Sequence, residues 1–149
     1  MKLFDTVGSV LKQKGRYIWS VPPEASVYRA IEIMAEKHVG ALLVISDEKL
    51  LGIISERDYA RKVILRGRAS HQTQVREVMT TAIVTATPEQ SIEECMRIMT
   101  SNRIRHLPII VNEKVAGIIS IGDLVNWIIS AQEETIKHLN HYIAGGYPG

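Results

Sequence analysis

Apolar and polar positions run through one series of rhythms and then through the same series again. A short apolar run at 17–21 meets Pro22 and Pro23. Beyond it Val27, Ile31, Met34 and Ala35 recur at helical spacing, and Ser26 stands where it can cap the first turn. Two runs rich in β-branched residues, 41–45 and 50–54, flank Asp47-Glu48-Lys49, which predicts a tight hairpin. A second helix starts near Glu56. Downstream come 83–85, Pro88, a cap at Ser91, and a helix carrying Ile92, Cys95, Met96 and Met99. Strands at 106–111 and 115–119 then surround Asn112-Glu113-Lys114, and another helix starts at Ile121. The order is β-α-β-β-α, twice.

Residue identities support a duplication. A constant shift of 65 positions places Pro23 on Pro88, Ser26 on Ser91, Met34 on Met99, Gly52 on Gly117 and Asp58 on Asp123, without a gap. The expected division is an N-terminal helix within 1–16, a first repeat at 17–66, and a linker with a short helix at 67–79. A second repeat at 80–130 and a C-terminal helical extension at 131–149 complete it. The last helix is expected to run to about Ile143, with Val125, Ile128, Ile129, Ile136, Leu139 and Ile143 on one side and Gly145, Gly146 and Pro148 ending it. An apolar stripe that outlasts the repeat points to a partner subunit; the plainer alternative folds it back over its own core.

Composition narrows the function classes. Hydrophobic residues are 46% of the 149 and charged residues 23%, which suits an α+β globular core. Net charge is only +2, too little for the dense basic stripe that nucleic acid requires. Cys95 is the sole cysteine, so an internal disulfide is impossible and a reducing compartment, the cytoplasm, is expected. No apolar run approaches the roughly 20 residues of a membrane helix.

The chemistry gathers where each hairpin leads into a helix. Gly52-Ile53-Ile54-Ser55-Glu56-Arg57-Asp58 and Gly117-Ile118-Ile119-Ser120-Ile121-Gly122-Asp123 share one pattern. The isoleucines anchor a buried strand. The serine falls at a helix start, whose outward amides favour an anion, and the aspartate can accept two hydrogen bonds from a vicinal diol. Together they suit a nucleotide's phosphate and ribose. The same spacing is also a plain capping box, and duplication copies caps as readily as sites.

The Pro-x-x-Ser helix start, the Arg105-His106-Leu107-Pro108 strand and the paired Gly-Ile-Ile-Ser-x-x-Asp turns resemble the CBS (cystathionine β-synthase) domain pair, or Bateman module, over 17–129. The resemblance implies two repeats packed about a pseudo-twofold axis, with AMP, ATP, NAD(H) or a related adenosyl ligand in the clefts between them. It assigns Ser55 and Asp58 to one cleft and Ser120 and Asp123 to the other. Thr85 would line the adenine pocket of the Asp58 cleft and Ser20 that of the Asp123 cleft. Arg105 and His106 would supply cations. Gly40 and Ala41 stand at the matching positions of the first repeat, which leaves its phosphate to Arg57 or Arg61 and makes the clefts unequal. The implied function is a nucleotide sensor, not an enzyme, acting as a homodimer on a regulated protein in trans. The rival is a dimerisation module with no ligand.

Other candidates have plainer readings. Arg57, Arg61, Lys62, Arg66 and Arg68 read mainly as a solvated helix face, with Arg57 the exception beside Asp58. His138 and His141 share a helical face, but no carboxylate or cysteine joins them at ligand spacing. Cys95, on an apolar helix face, reads as core, as do Trp19 and Trp127, although Trp19 could stack on an adenine.

Overall fold

The computed structural model describes residues 5–15 and 17–141. Among these the elements run α1 (Val7–Lys14), β1 (Ser20–Val21), α2 (Val27–Lys37), β2 (Ala41–Ser46), β3 (Lys49–Ser55) and α3 (Glu56–Tyr59), which continues as a π-helical turn at Ala60–Ile64. After α4 (Val75–Val78) come α5 (Ile92–Asn102), β4 (His106–Val111), β5 (Lys114–Ser120) and α6 (Ile121–His141). The α+β pattern appears in both repeats. Ser26 and Ser91 cap as expected, each Oγ accepting from an amide three residues on, Arg29 N and Glu94 N, at 3.1 Å.

Both hairpins turn through two left-handed residues, Asp47 and Glu48 in one and Asn112 and Glu113 in the other. Two positive φ values in a row suit the right-handed twist of the flanking strands, so each hairpin stays tight without glycine. His38 and Arg103, again 65 apart, end α2 and α5 in the same left-handed conformation.

The first strand of each repeat is shorter than expected. In place of 17–21, only Ser20–Val21 pairs, parallel to Leu43 and Val44. In place of 83–85, no strand forms; Ala86 alone bridges in parallel to Ile109. One residue explains the contrast between the copies. Leu43 N donates to Trp19 O at 3.2 Å, whereas Pro108 stands at the repeat position of Leu43 and has no N–H to donate. The described part of α6 ends at His141; Ile143, Gly145, Gly146 and Pro148 lie outside the described residues.

The chain forms two compact units, one of Tyr17–Thr85 with Ile110–Ala116, the other of the described residues in Met1–Arg16, Ala86–Ile109 and Gly117–Gly149. In the first unit β1, β2 and β3 form a sheet in that order, and α2 lays Val27, Ala30 and Met34 against Val21, Leu42, Val44 and Ile54. α4 completes this core with Val75 and Val78. Its docking uses backbone bonds: Val75 N to Ala25 O at 2.8 Å, Arg76 N to Pro23 O at 3.0 Å, and Val27 N to Thr73 O at 2.8 Å.

In the second unit α1 makes the same bonds to the second repeat. Val7 N donates to Gln90 O at 2.8 Å, Gly8 N to Pro88 O at 2.9 Å, and Ile92 N to Asp5 O at 2.9 Å. Gln90, Pro88 and Ile92 are Ala25, Pro23 and Val27 shifted by 65, while Val75, Arg76 and Thr73 are Val7, Gly8 and Asp5 shifted by 68. The duplicated unit is therefore a helix followed by a repeat, with three residues' difference in the connection. Val7, Val10 and Leu11 of α1 are buried along with Ile92, Cys95, Met99, Leu107, Ile109, Ile119 and Leu124.

Candidate functional site

In each unit the strand that ends in serine passes straight into a helix, and a carbonyl of the preceding strand's approach holds the junction. Glu56 N donates to Gly40 O at 3.0 Å, and Ile121 N to Arg105 O at 2.9 Å. Gly40 and Arg105 thus lie beside the serine–aspartate turns. His106, the first residue of β4, follows Arg105 directly.

The two turns share a cap but differ in what else holds the acid. In the first unit Asp58 N donates to Ser55 Oγ at 3.2 Å, while Asp58 Oδ2 accepts from Ser55 N at 3.0 Å and from Ser55 Oγ at 3.1 Å. The other oxygen, Oδ1, accepts from Thr80 Oγ1 at 3.1 Å and from the Lys62 ammonium at 3.0 Å. Lys62, carried by the π-helical turn, also donates to Val78 O at 2.9 Å and so ties this carboxylate to the end of α4. Both oxygens of Asp58 are engaged, and the residue is only 7% exposed.

In the second unit Asp123 N donates to Ser120 Oγ at 3.0 Å, and Asp123 Oδ2 accepts from Ser120 N at 2.8 Å. Lys14, the last residue of α1, places its ammonium 2.6 Å from the same Oδ2 and 3.0 Å from Ile118 O. The Asp123 side chain retains 24% exposure and that of Lys14 33%. No bond to Asp123 Oδ1 is found among the described residues.

Charge is concentrated here. Burial first, then the Lys14 ammonium and more weakly Arg105, hold the His106 imidazole below the ordinary histidine range, while Asp123 acts the other way. His106 is therefore neutral at neutral pH, and Lys14 and Arg105 leave a net positive charge around one carboxylate.

The structure brings Ser55, Asp58 and Gly40 together in one unit, and Ser120, Asp123, Arg105 and His106 together in the other. Arg57 is exposed on α3 next to Asp58. Ser20 is exposed on β1, and Thr85 is exposed at the end of the first unit's long segment. Lys14 and Thr80 carried no earlier expectation, and Lys62, expected only on a solvated helix face, is instead paired with Asp58 and Val78 O. Lys62 was within reach of the sequence, since it lies four residues after Asp58 on a helical face. Lys14 is 109 residues from Asp123 and gave no local signal.

The remaining candidates have structural partners. Trp127 Nε1 donates to Asp5 at 2.9 Å, tying α6 to the start of α1. Trp19 is half-buried, lies parallel to Tyr17 at 6.1 Å, and takes the Lys37 ammonium over its ring at 4.5 Å. His71 stacks on Tyr28 at 3.9 Å. Cys95 is buried in the core, and burial, helped by Glu94, pushes its thiol up to about 11. Among the described residues no three His, Cys, Asp or Glu gather into a metal site, and no helix is long and apolar enough to cross a membrane.

Two copies of a helix, a hairpin and a serine–aspartate turn define a duplicated α+β module with its charged groups at the strand-to-helix junctions. The CBS domain model matches residues 15–65 and 75–130, and the chain belongs to the CBS-domain family as a tandem pair. It is 40% identical over 152 residues to the CBS domain-containing protein CBSX3, mitochondrial, of Arabidopsis thaliana, across 95% of this chain and 73% of that one. The crystal structure of the CBS-domain containing protein ATU1752 from Agrobacterium tumefaciens matches with TM-score 0.78 at 38% identity, over 81% of this chain and 97% of that one. The CBS domain pair of protein MJ0100, solved in complex with 5-methylthioadenosine and S-adenosyl-L-methionine, shares the fold at TM-score 0.75 and 20% identity, over 85% of this chain and 97% of that one.

Proposed function

We propose that this chain is a regulatory module that binds an adenine nucleotide at the Ser120–Asp123 turn and acts on another protein in trans. Family membership supports the class of ligand, since CBS pairs generally bind adenosyl compounds and regulate. The observation that carries the site is the partly exposed Asp123 carboxylate, with one oxygen fixed by Ser120 N and Lys14 and the other without a bond among the described residues. The open Oδ1 is the ribose acceptor, and Arg105 faces the phosphate. His106 serves as a neutral donor beside it. AMP, ATP and NAD(H) all carry the ribose and phosphate that these groups suit. The active species is a homodimer formed through the exposed stripe of α6.

Ser55, Arg57, Asp58, Gly40 and Thr85 form the second, weaker site of this proposal. A ligand there must displace Thr80 or Lys62 from Asp58, because both carboxylate oxygens are already engaged. That saturation favours a structural role for the first turn unless a nucleotide draws Lys62 away. The module reads its ligand and does not transform it.

Calorimetric titration with AMP, ATP, NAD, NADH and S-adenosylmethionine tests the reading. Asp123→Asn keeps the cap but replaces a charged acceptor, and is expected to weaken the bound nucleotide by about 1.5–3 kcal/mol. Binding of none of these ligands, or unchanged affinity in Asp123→Asn, rejects the site.

A further inference from the structure

We propose that Lys14, at the end of α1, is a phosphate-binding residue of the Asp123 site and makes that site prefer phosphorylated ligands to neutral adenosyl ones. The inference rests on the reading of Asp123 as the ribose acceptor. An ammonium has three donors. Two of Lys14's are committed, to Asp123 Oδ2 and Ile118 O, so the side chain is held in one orientation by the residue that would grip the sugar. The third is directed to neither partner, on a side chain one-third exposed.

The surroundings favour an anion in that place. Among the described residues Asp123 is the carboxylate whose charge acts on the half-buried His106 imidazole, against the two cations Lys14 and Arg105. The Arg105 side chain is exposed and makes no ion pair among the described residues. An anion placed between the two cations restores neutrality, and each contact would be a charge-assisted hydrogen bond. A nucleotide with its ribose on Asp123 Oδ1 carries its phosphate to within a sugar's length of the ammonium that shares that carboxylate.

The first unit lacks this arrangement. Lys62 also bridges the motif carboxylate and a backbone carbonyl, but its carboxylate is buried and has no open oxygen for a sugar. Any preference for phosphorylated ligands therefore belongs to the Asp123 site.

The test compares adenosine, AMP and S-adenosylmethionine by calorimetry on the full chain and on Lys14→Met and Lys14→Arg. Methionine keeps an unbranched side chain of similar length and removes the charge. Lys14→Met is expected to weaken AMP about tenfold more than it weakens adenosine. Lys14→Arg is expected to recover most of the AMP affinity. Equal losses for adenosine and AMP in Lys14→Met overturn the proposal, because they assign Lys14 to holding Asp123 alone. Wild-type protein that binds S-adenosylmethionine but not AMP overturns it and leaves the adenosyl site standing. Wild-type protein that binds none of the three rejects both readings. If Lys14→Met unfolds, Lys14→Gln and the ionic-strength slope of AMP binding to wild type decide: a slope no steeper than that of adenosine is fatal.

Discussion

Gly52 and Gly117 occupy the same point of the two turns, yet they face different atoms. A Cβ on Gly52 would lie 2.7 Å from Thr80 O and 2.9 Å from Met79 Sδ, while one on Gly117 would meet Leu11 Cδ1, the far end of a flexible side chain. Thr80 cannot give way easily. It exchanges two backbone bonds with Ile53, at 2.8 and 3.0 Å, and its hydroxyl donates to Asp58. Gly52→Ala is therefore expected to destabilise by about 1–3 kcal/mol, and Gly117→Ala by clearly less, as a leucine rotamer adjusts. Urea midpoints at constant m-value measure both. Equal losses in the two variants refute the argument from Thr80. The sequence marked these glycines as repeat positions and marked the serines and aspartates as caps, because both rest on local spacing. It could not show that one aspartate saturates both oxygens and the other does not. That difference depends on Thr80, Lys62 and Lys14, of which only Lys62 stands at a readable interval.

At the level of elements, local pattern carried the two long helices and both hairpins, since amphipathic spacing and turn residues act over a few positions. Pairing over longer range was less legible. The strand at 83–85 failed because Pro108, more than twenty positions further on and inside another strand, removed the amide that its pairing needs. α1 was foreseen as an extra N-terminal helix, but its equivalence to α4 was hidden by a shift of 68 where the repeat uses 65, and by differing side chains. That equivalence makes α1 part of the second repeat's core. A helix of 8 residues does not hold in water alone, so α1 owes its structure to docking. Leu11 lies outside the matched family segments yet is only 3% exposed. Leu11→Ala is accordingly expected to cost about 2–5 kcal/mol, the loss of a true core leucine. Thermal unfolding and hydrogen exchange at Ile92 and Leu107 would show it. A loss within the range of surface substitutions, below about 0.5 kcal/mol, would mean that α1 is ornamental to the second unit.

For the whole molecule the outstanding surface is the outer face of α6. Val125, Ile129, Ile136 and Leu139, at intervals of four, seven and three, are 40%, 46%, 57% and 56% exposed. Up to Ala131 the helix packs on its own core, but beyond it the plainer expectation of folding back is not met: from Gln132 to Asn140 every residue is exposed. Four large aliphatic side chains in water on one helical face forgo about 25 cal/mol for each Å² that a partner would cover. A second copy presents the same face, and an isologous contact across a twofold axis satisfies both at once. Sedimentation equilibrium is expected to give a dimer. Ile136→Glu with Leu139→Glu should shift it to monomer, since two charges per chain would then be buried without partners. The melting temperature of wild type should rise with protein concentration and that of the double variant should not, because association stabilises only the folded state. Both substitutions lie beyond the buried Ala131, so the unfolding of the dilute variant should match that of dilute wild type. A wild-type chain that sediments as a monomer at every concentration would remove the homodimer from the proposed function while leaving the Asp123 site untouched.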